Sequence, residues 1–285
     1  AKIFFFTRKH VTAMCGASSV SGKDREITRT VSGVTMFCDI DPEIYKKSMR
    51  NILAFVLLIG FQSLATAQAN DTLCYELRIY TAPKGKLNEL LKRFRNHTTA
   101  LFEKHGMTNV GYWTPLDNPD EKLYYVLSYP NRAAREASWK AFMADTVWQR
   151  VWKESEVNGS ILSNIESIFL KTTDFSPNNL QSDCGHVWEL RIYTTPPNNL
   201  PHLLDRFRNH TPKLFERFGM TNKIYWTPTD TAQGSDHMLY YFLTHPSRAA
   251  GLDAFDRFRK DPEWLRVRQD SETKAGGSLT TKVES

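Results

Sequence analysis

The feature that most constrains this sequence of 285 residues is that it contains one unit twice. Residues 75–115 align with residues 188–228 at a constant offset of 113, without gaps, and 27 of those 41 positions are identical. After a three-residue insertion the offset becomes 116, so that Leu123 corresponds to Leu239 and Trp148 to Trp264. Two copies of about 110 residues indicate a duplicated domain rather than a solenoid, which is built from shorter and more numerous repeats.

Each copy has the hydrophobic pattern of the same six elements. Alternation over 75–80 predicts a strand, and apolar residues at helical spacing over 87–102 predict an amphipathic helix of about five turns that a glycine ends, Gly106 or Gly219. Two strands follow at 110–114 and 123–128. Helix-capping residues then predict a second helix, which begins at Asn131 in the first copy and Ser247 in the second. They also predict a short third helix, which begins at Asp145 or Asp261. A last strand is predicted at 161–170. The order β-α-β-β-α-β predicts an α+β fold made of two tandem ferredoxin-like units.

The first strand of each copy carries charges on one of its two faces. Tyr75, Leu77 and Ile79 alternate with Glu76, Arg78 and Tyr80, and the second copy repeats the polar set as Glu189, Arg191 and Tyr193. We expect the apolar set to pack on the helices. We expect the polar set to lie between the two sheets, because packing the sheets face to face would cover it.

Several strings in both copies are similar to those of the NIPSNAP family. They are the E-L-R-I-Y-T opening, the R-N-H-T helix, the G-M-T-N and Y-W-T-P strings, and the N-R-A-A or S-R-A-A helix start, in the same order twice within residues 74–285. The resemblance implies the dimeric α+β barrel superfamily, here as a barrel formed within one chain. It also implies a protein without a settled biochemical activity, whose superfamily relatives include monooxygenases that work without conventional cofactors or on bound haem.

Two equivalent histidines are the candidate catalytic residues. His97 and His210 lie on the flank of the predicted helix, about 80° from its apolar centre. A histidine there either faces a helix–sheet cavity as a base or metal ligand, or bonds the neighbouring strand. No metal site is predicted, because His105 becomes Phe218 in the second copy and no second ligand stands at a suitable spacing.

The candidate ligand-binding residues lie on strands. The charges of the first strands form either an ion-pair network that fixes the register of the two units or a polar cavity for an acidic or hydroxylated molecule. The aromatic residues of later strands either pack in the core or line a pocket. The candidates are Glu76, Arg78, Tyr80, Glu189, Arg191, Tyr193, Trp113 and Trp226.

The N-terminal region has the layout of a secretory leader. Met49-Arg50 precedes an uncharged stretch from 52 to 64 and the small-residue site Ala65-Thr66-Ala67. This pattern predicts a signal peptide over 49–67, cleaved near Ala67, an upstream extension over 1–48 without a functional role, and a secreted or periplasmic protein. An uncleaved membrane anchor is the alternative, although the apolar run of roughly a dozen residues is short for a bilayer. After cleavage no stable membrane span is expected.

The remaining sequence gives two domains, 68–180 and 181–285. The second parallels the first only as far as Ser167, so its last strand is expected to be shortened. Export would permit a Cys74–Cys184 disulfide, with two separate thiols as the alternative. Beyond residue 67 there are 28 Lys/Arg against 26 Asp/Glu, which argues against a nucleic-acid partner.

Two functions remain open from the sequence. The first is binding of an unidentified small molecule or protein without demonstrated chemistry, and it requires no cofactor. The second is a cofactor-independent or haem-linked monooxygenase-like activity with His97 or His210 near the reacting centre. The sequence also leaves open whether the two fused domains form a monomer or whether the chain forms a homo-oligomer.

Overall fold

The computed structural model of the protein describes residues 5–7, 73–181 and 185–285. Both copies of the repeat lie within one compact unit. The predicted signal peptide and its cleavage site at Ala67 fall outside the described residues, as does Cys184. No helix in the described ranges is long and apolar enough to cross a membrane.

The first copy has the predicted order of elements. A short strand precedes it, β1 (Phe5–Thr7), and the copy itself comprises β2 (Cys74–Thr81), α1 (Leu87–Arg93), a π-helical turn (Phe94–Thr98), α2 (Thr99–Lys104), β3 (Thr108–Pro115), β4 (Lys122–Tyr129), α3 (Arg132–Ala144), α4 (Thr146–Ser155) and β5 (Asn164–Thr172).

The second copy repeats this order with small differences. It comprises β6 (Val187–Thr194), α5 (Leu200–Asn209), α6 (Thr211–Arg217), β7 (Thr221–Pro228), a 3₁₀ turn (Thr231–Gln233), β8 (Met238–His245), α7 (Arg248–Lys260), α8 (Pro262–Lys274) and β9 (Lys282–Glu284).

The predicted capping residues begin the later helices. The Asn131 side chain accepts a hydrogen bond from the Ala134 amide at 2.8 Å, and Ser247 accepts one from the Ala250 amide at 3.1 Å. Asp145 accepts from the Val147 amide at 2.7 Å and thereby begins α4. Each cap satisfies an amide that has no partner within its helix.

The long amphipathic helix differs between the copies at one position. Thr99 of the first copy is Pro212 in the second. The first helix runs from residue 87 to 104 through the π-helical turn, whereas the second breaks at His210 because proline cannot donate an interior helix bond. In both copies a threonine hydroxyl bonds back to a carbonyl five residues earlier, Thr98 to Arg93 and Thr211 to Arg206, each at 3.3 Å.

The strands form one antiparallel sheet that contains both copies. The order is β3-β4-β2-β5 for the first copy, followed by β7-β8-β6-β9 for the second, and each set has the ferredoxin-like arrangement. The copies join where the end of β5 pairs with β7, with Leu170 opposite Pro228 and Thr172 opposite Trp226. The predicted α+β class and tandem ferredoxin-like units are therefore confirmed.

The strand β1 pairs with both copies on the other side. Phe6 lies opposite Pro115 of β3 and Trp188 of β6 in the backbone register. Pro115 and Trp188 correspond in the repeat to Pro228 and Tyr75. These two residues lie opposite Leu170 of β5. The backbone of β1 therefore pairs with β6 and β3 at the positions equivalent to those where β5 pairs with β2 and β7. This gives residues 5–7 a place in the sheet, although no role was expected for that segment.

The four strands of each copy form one half of this sheet, and the two halves, called the two sheets below, face each other across a largely apolar and aromatic core. Residues of both copies meet there: the Trp113 ring lies 5.4 Å from that of Trp188 and 4.8 Å from that of Phe242, and the Tyr75 ring lies 5.5 Å from that of Trp226. Gly111 makes room for this arrangement, since a Cβ there would overlap the Trp113 indole. The two halves therefore share one core, as the barrel prediction requires.

Candidate functional site

The faces of the first strands are the reverse of those expected. Tyr75, Leu77 and Ile79 point between the sheets, where they join the shared core, whereas Glu76 and Arg78 lie under the helices of their own copy. The prediction that Glu76, Arg78, Tyr80, Glu189, Arg191 and Tyr193 lie between the sheets was wrong. The helix side supplies the hydrogen-bond donors and acceptors that Glu76 and Arg78 require, whereas the inter-sheet core is mostly apolar and aromatic, with the buried Lys223 beside the Trp188 ring.

Glu76 is the centre of a buried polar network. One carboxylate oxygen, Oε1, accepts hydrogen bonds from Arg78, from Arg135 of α3 at 2.7 Å and from Ser167 of β5 at 2.7 Å. The other, Oε2, accepts from Arg135 at 3.0 Å, Tyr129 at 3.1 Å and the Trp139 indole at 3.3 Å. A fully buried carboxylate thus holds two guanidinium groups, of which that of Arg135 also pairs with the exposed Glu136 at 3.1 Å.

The second copy builds this centre differently. Glu189 accepts from Arg191 at 2.7 Å and pairs with the buried His245 at 2.8 Å. His245 stands where the first copy has Tyr129, and Gly251 stands where it has Arg135. A Cβ on Gly251 would come within 3.0 Å of the His245 ring, so the missing side chain makes room for the imidazole.

Burial and pairing act in opposite directions on these groups. Burial alone would raise the pKa of Glu76, but the bonds and charges of Arg135, Arg78 and Ser167 outweigh it and lower that pKa from 4.5 to about 2. For Arg78, burial alone would lower the pKa, but Tyr125, Tyr80 and Glu76 raise it above its usual value. Both side chains therefore stay charged at neutral pH.

Acid is expected to destabilise the protein through Glu76. Because its pKa is about 2 in the folded state and near 4.5 when unfolded, its contribution is complete above about pH 5 and is lost as the pH falls towards 2. The loss amounts to about 3 kcal/mol in the free energy of unfolding. Urea unfolding measured from pH 2 to 6 checks this, with Glu76→Gln as the variant that should lose that part of the pH dependence. Equal pH dependence in the two proteins would contradict the assignment.

Each copy contains a pocket between its sheet and its helices. The first has a volume of about 350 Å³ and the second about 420 Å³. Equivalent residues form both interiors: Arg78 and Arg191, Tyr80 and Tyr193, Arg93 and Arg206, Phe94 and Phe207, Thr98 and Thr211, Phe102 and Phe215, Trp148 and Trp264. We call these the first and second helix–sheet pockets.

The first helix supplies a buried arginine to each pocket. Arg93 is only 4% exposed and reaches Ser155 and Glu156, each at 3.2 Å, while its guanidinium lies 5.3 Å from the centre of the Trp148 ring. Arg206 takes the same place in the second copy, near Ser271 and Glu272. The π-helical turn begins directly after Arg93, and π-helical turns are frequent at functional sites.

Some donors at these walls have no partner in the described part of the chain. They are Nε of Arg93, Nε1 of Trp148 and, in the second copy, Nε of Arg206. All three atoms carry a hydrogen and none can accept a hydrogen bond. A buried donor without a partner is costly; these three belong to side chains that line the pockets, while the donor atoms themselves are enclosed by protein.

The other predicted site residues lie elsewhere. His97 and His210 are exposed, and neither is among the residues that line the helix–sheet pockets; His97 borders a separate surface depression beside Asn96 and Asn158. Trp113 and Trp226 are buried in the core between the sheets. Among the candidates, the pockets therefore gather Arg78, Tyr80, Glu189, Arg191 and Tyr193.

Arg93 and Arg206 were not among the site residues predicted from the sequence. Cys74 is a buried free cysteine in the described part of the chain, and Cys184, its partner in the predicted disulfide, lies outside the described residues. No group of three or more His, Cys, Asp or Glu side chains suited to a metal ion occurs among the residues described.

The fold and site define a duplicated α+β barrel protein with one helix–sheet pocket in each half. The NIPSNAP family model matches residues 75–177 and 188–280. The chain belongs to the NIPSNAP family.

Solved structures with similar folds come from several bacteria. A NIPSNAP family protein from Agrobacterium tumefaciens is 26% identical, with 37% of this chain and 97% of that chain covered at a TM-score of 0.34. A NIPSNAP domain protein from Burkholderia xenovorans is 25% identical, with 36% and 98% covered at 0.33. A candidate monooxygenase from Lactobacillus acidophilus is 13% identical, with 75% and 91% covered at 0.44. A comparison with curated proteins gives no match.

Proposed function

We propose that this protein binds small molecules, one in each helix–sheet pocket, and that it does so outside the cytoplasm, as the leader-like residues 49–67 support. The observation that carries the proposal is the pair of equivalent pockets, each with a buried arginine whose Nε has no partner among the described residues. Their volumes fall within the range of ligand pockets, roughly 300–1,000 Å³. The aromatic walls supply apolar contact with a ligand, and the few polar groups among them fix its orientation.

Ligand binding has more support than the enzymatic alternative. That alternative required His97 or His210 near a reacting centre, and both imidazoles are exposed and outside the helix–sheet pockets. A haem held by either histidine does not fit these pockets, because an axial ligand must reach the iron. Binding needs only the residues that the pockets already bring together.

The test is to close each pocket and count the sites for 8-anilinonaphthalene-1-sulfonate, which combines an aromatic body with oxygen acceptors. Leu162 and Thr280 are equivalent, half-buried positions at the walls of the two pockets, so a tryptophan at either should fill space without disturbing the core. Calorimetric titration should give two sites in the parent protein. It should give one in Leu162→Trp, one in Thr280→Trp and none in the double variant.

Val157→Trp is the matched control, since Val157 is 75% exposed and outside both pockets. It should keep two sites. A double variant that still binds two equivalents of the dye with unchanged affinity would overturn the proposal.

A further inference from the structure

The two helix–sheet pockets share their interiors but differ at their rims. The first rim is apolar, with Met143 48% and Trp152 46% exposed and Leu162 and Ile165 beside them. The equivalent positions of the second rim are Arg259, Arg268, Thr280 and Val283. Seven equivalent pairs of residues line both interiors, with Glu189 lining only the second, and the rims carry the larger difference in chemistry.

The first rim favours an apolar ligand. A half-exposed tryptophan and methionine at the mouth of an aromatic pocket keep apolar surface in water, and a ligand that covers them removes that cost. Inside, Trp148 is 8% exposed and lines the pocket with a ring that carries an N–H donor and no charge. A neutral ring compound with a carbonyl or similar oxygen meets both conditions.

The second rim favours an anion. Arg268 bonds Glu272 at 3.1 Å, and Glu272 lies 3.9 Å from the buried Arg206, so a single carboxylate faces two guanidinium groups. Arg259 adds another positive charge at the mouth, 3.8 Å from the nearest carboxylate oxygen, that of Asp256. Arginine binds carboxylates and phosphates in a bidentate geometry that lysine cannot provide.

We infer that the two pockets have diverged in ligand class: the first takes a neutral, largely apolar ring compound with an oxygen acceptor, and the second takes a ligand of similar size that carries a carboxylate or related anionic group. The inference rests on the proposed function, because it assigns ligand classes to the same pockets. Charge placed at a rim gives specificity by attracting one ligand and disfavouring the other.

The probes are a matched pair, 2-acetonaphthone and 2-naphthoate, which share a naphthalene ring and differ in a neutral ketone against a carboxylate. Thr280→Trp leaves only the first pocket open, and Leu162→Trp leaves only the second. By calorimetric titration, the first pocket should prefer the ketone at least tenfold and the second the carboxylate at least tenfold. Raising the salt concentration should weaken only the carboxylate complex.

Exchanging the rims should exchange the preferences. Met143→Arg/Trp152→Arg in the Thr280→Trp background should turn the first pocket towards naphthoate. Arg259→Met/Arg268→Trp in the Leu162→Trp background should turn the second towards acetonaphthone. These side chains are about half exposed or more, so the folded state should persist, which circular dichroism verifies.

The outcomes separate this inference from the proposed function. If both pockets bind both probes equally and the rim exchanges change nothing, the divergence is wrong while ligand binding stands. If neither probe nor the sulfonate dye binds at either pocket, both proposals fall.

Discussion

Replacing Glu76 by glutamine is expected to destabilise the folded protein by about 3–5 kcal/mol, because it leaves the buried Arg78 guanidinium without its carboxylate partner and takes from the half-buried Arg135 one of its two. Arg78 and Arg135 both bond this carboxylate, and neither can lose its proton in the physiological range. The amide that replaces the carboxylate also turns two N–H donors towards side chains that are themselves donors, such as the Trp139 indole. The expected loss therefore combines an unpaired charge with unmade hydrogen bonds.

The second copy provides an internal comparison for this prediction. Glu189 has one arginine partner, Arg191, beside His245, whereas Glu76 has two arginine partners. Glu189→Gln should therefore cost less than Glu76→Gln. Glu154→Gln on the exposed face of α4 should change the free energy of unfolding by less than about 0.5 kcal/mol.

Urea unfolding at pH 7 measures all three variants. A loss in Glu76→Gln no larger than that in Glu154→Gln would show that the network around Glu76 does not hold the first copy together. A larger loss in Glu189→Gln than in Glu76→Gln would contradict the weight given to the second arginine partner, Arg135.

The repeat made the fold predictable, because two copies with the same hydrophobic pattern support each predicted strand and helix independently. The shared core followed from the need to cover two sheets, whereas the pairing of β5 with β7 was not predicted. Which face of β2 lies under the helices could not be predicted from the sequence. Both faces of this strand are buried, and alternation alone does not distinguish them. The partners that decide it, Arg135 and Ser167, stand 59 and 91 residues further along the chain.

The pocket residues show a second limit of sequence reasoning. On a helical wheel with Leu87 at the apolar centre, Arg93 lies about 120° to one side and Arg95 about 80° to the other, so spacing alone would make Arg95 the more buried of the two. In the structure Arg93 is buried at the pocket wall and Arg95 is exposed. The packing of α4, which brings Ser155 and Glu156 to Arg93, makes the difference, and helical spacing contains no information on it. The exposed His97 lies only four residues away from the buried Arg93.

Truncating Trp226 to alanine should destabilise the protein by about 3–5 kcal/mol, since it opens a cavity in the core that the two halves share. Trp226 is fully buried, and its ring lies 5.5 Å from that of Tyr75 in the first copy and 5.8 Å from that of Phe242 in its own. Its indole N–H has no partner among the described residues, so the loss comes from packing and not from a hydrogen bond.

Two further variants make this prediction specific. Trp226→Phe keeps most of the ring volume and should cost less than Trp226→Ala, whereas the loss of a hydrogen bond would affect both equally. Trp152→Ala removes the same side chain from the exposed rim of the first pocket and should cost under about 1 kcal/mol. Urea unfolding followed by circular dichroism measures each. A Trp226→Ala loss as small as that of Trp152→Ala would show that the inward faces of the two sheets do not pack on one another, and the barrel arrangement of the duplicated halves would then be wrong.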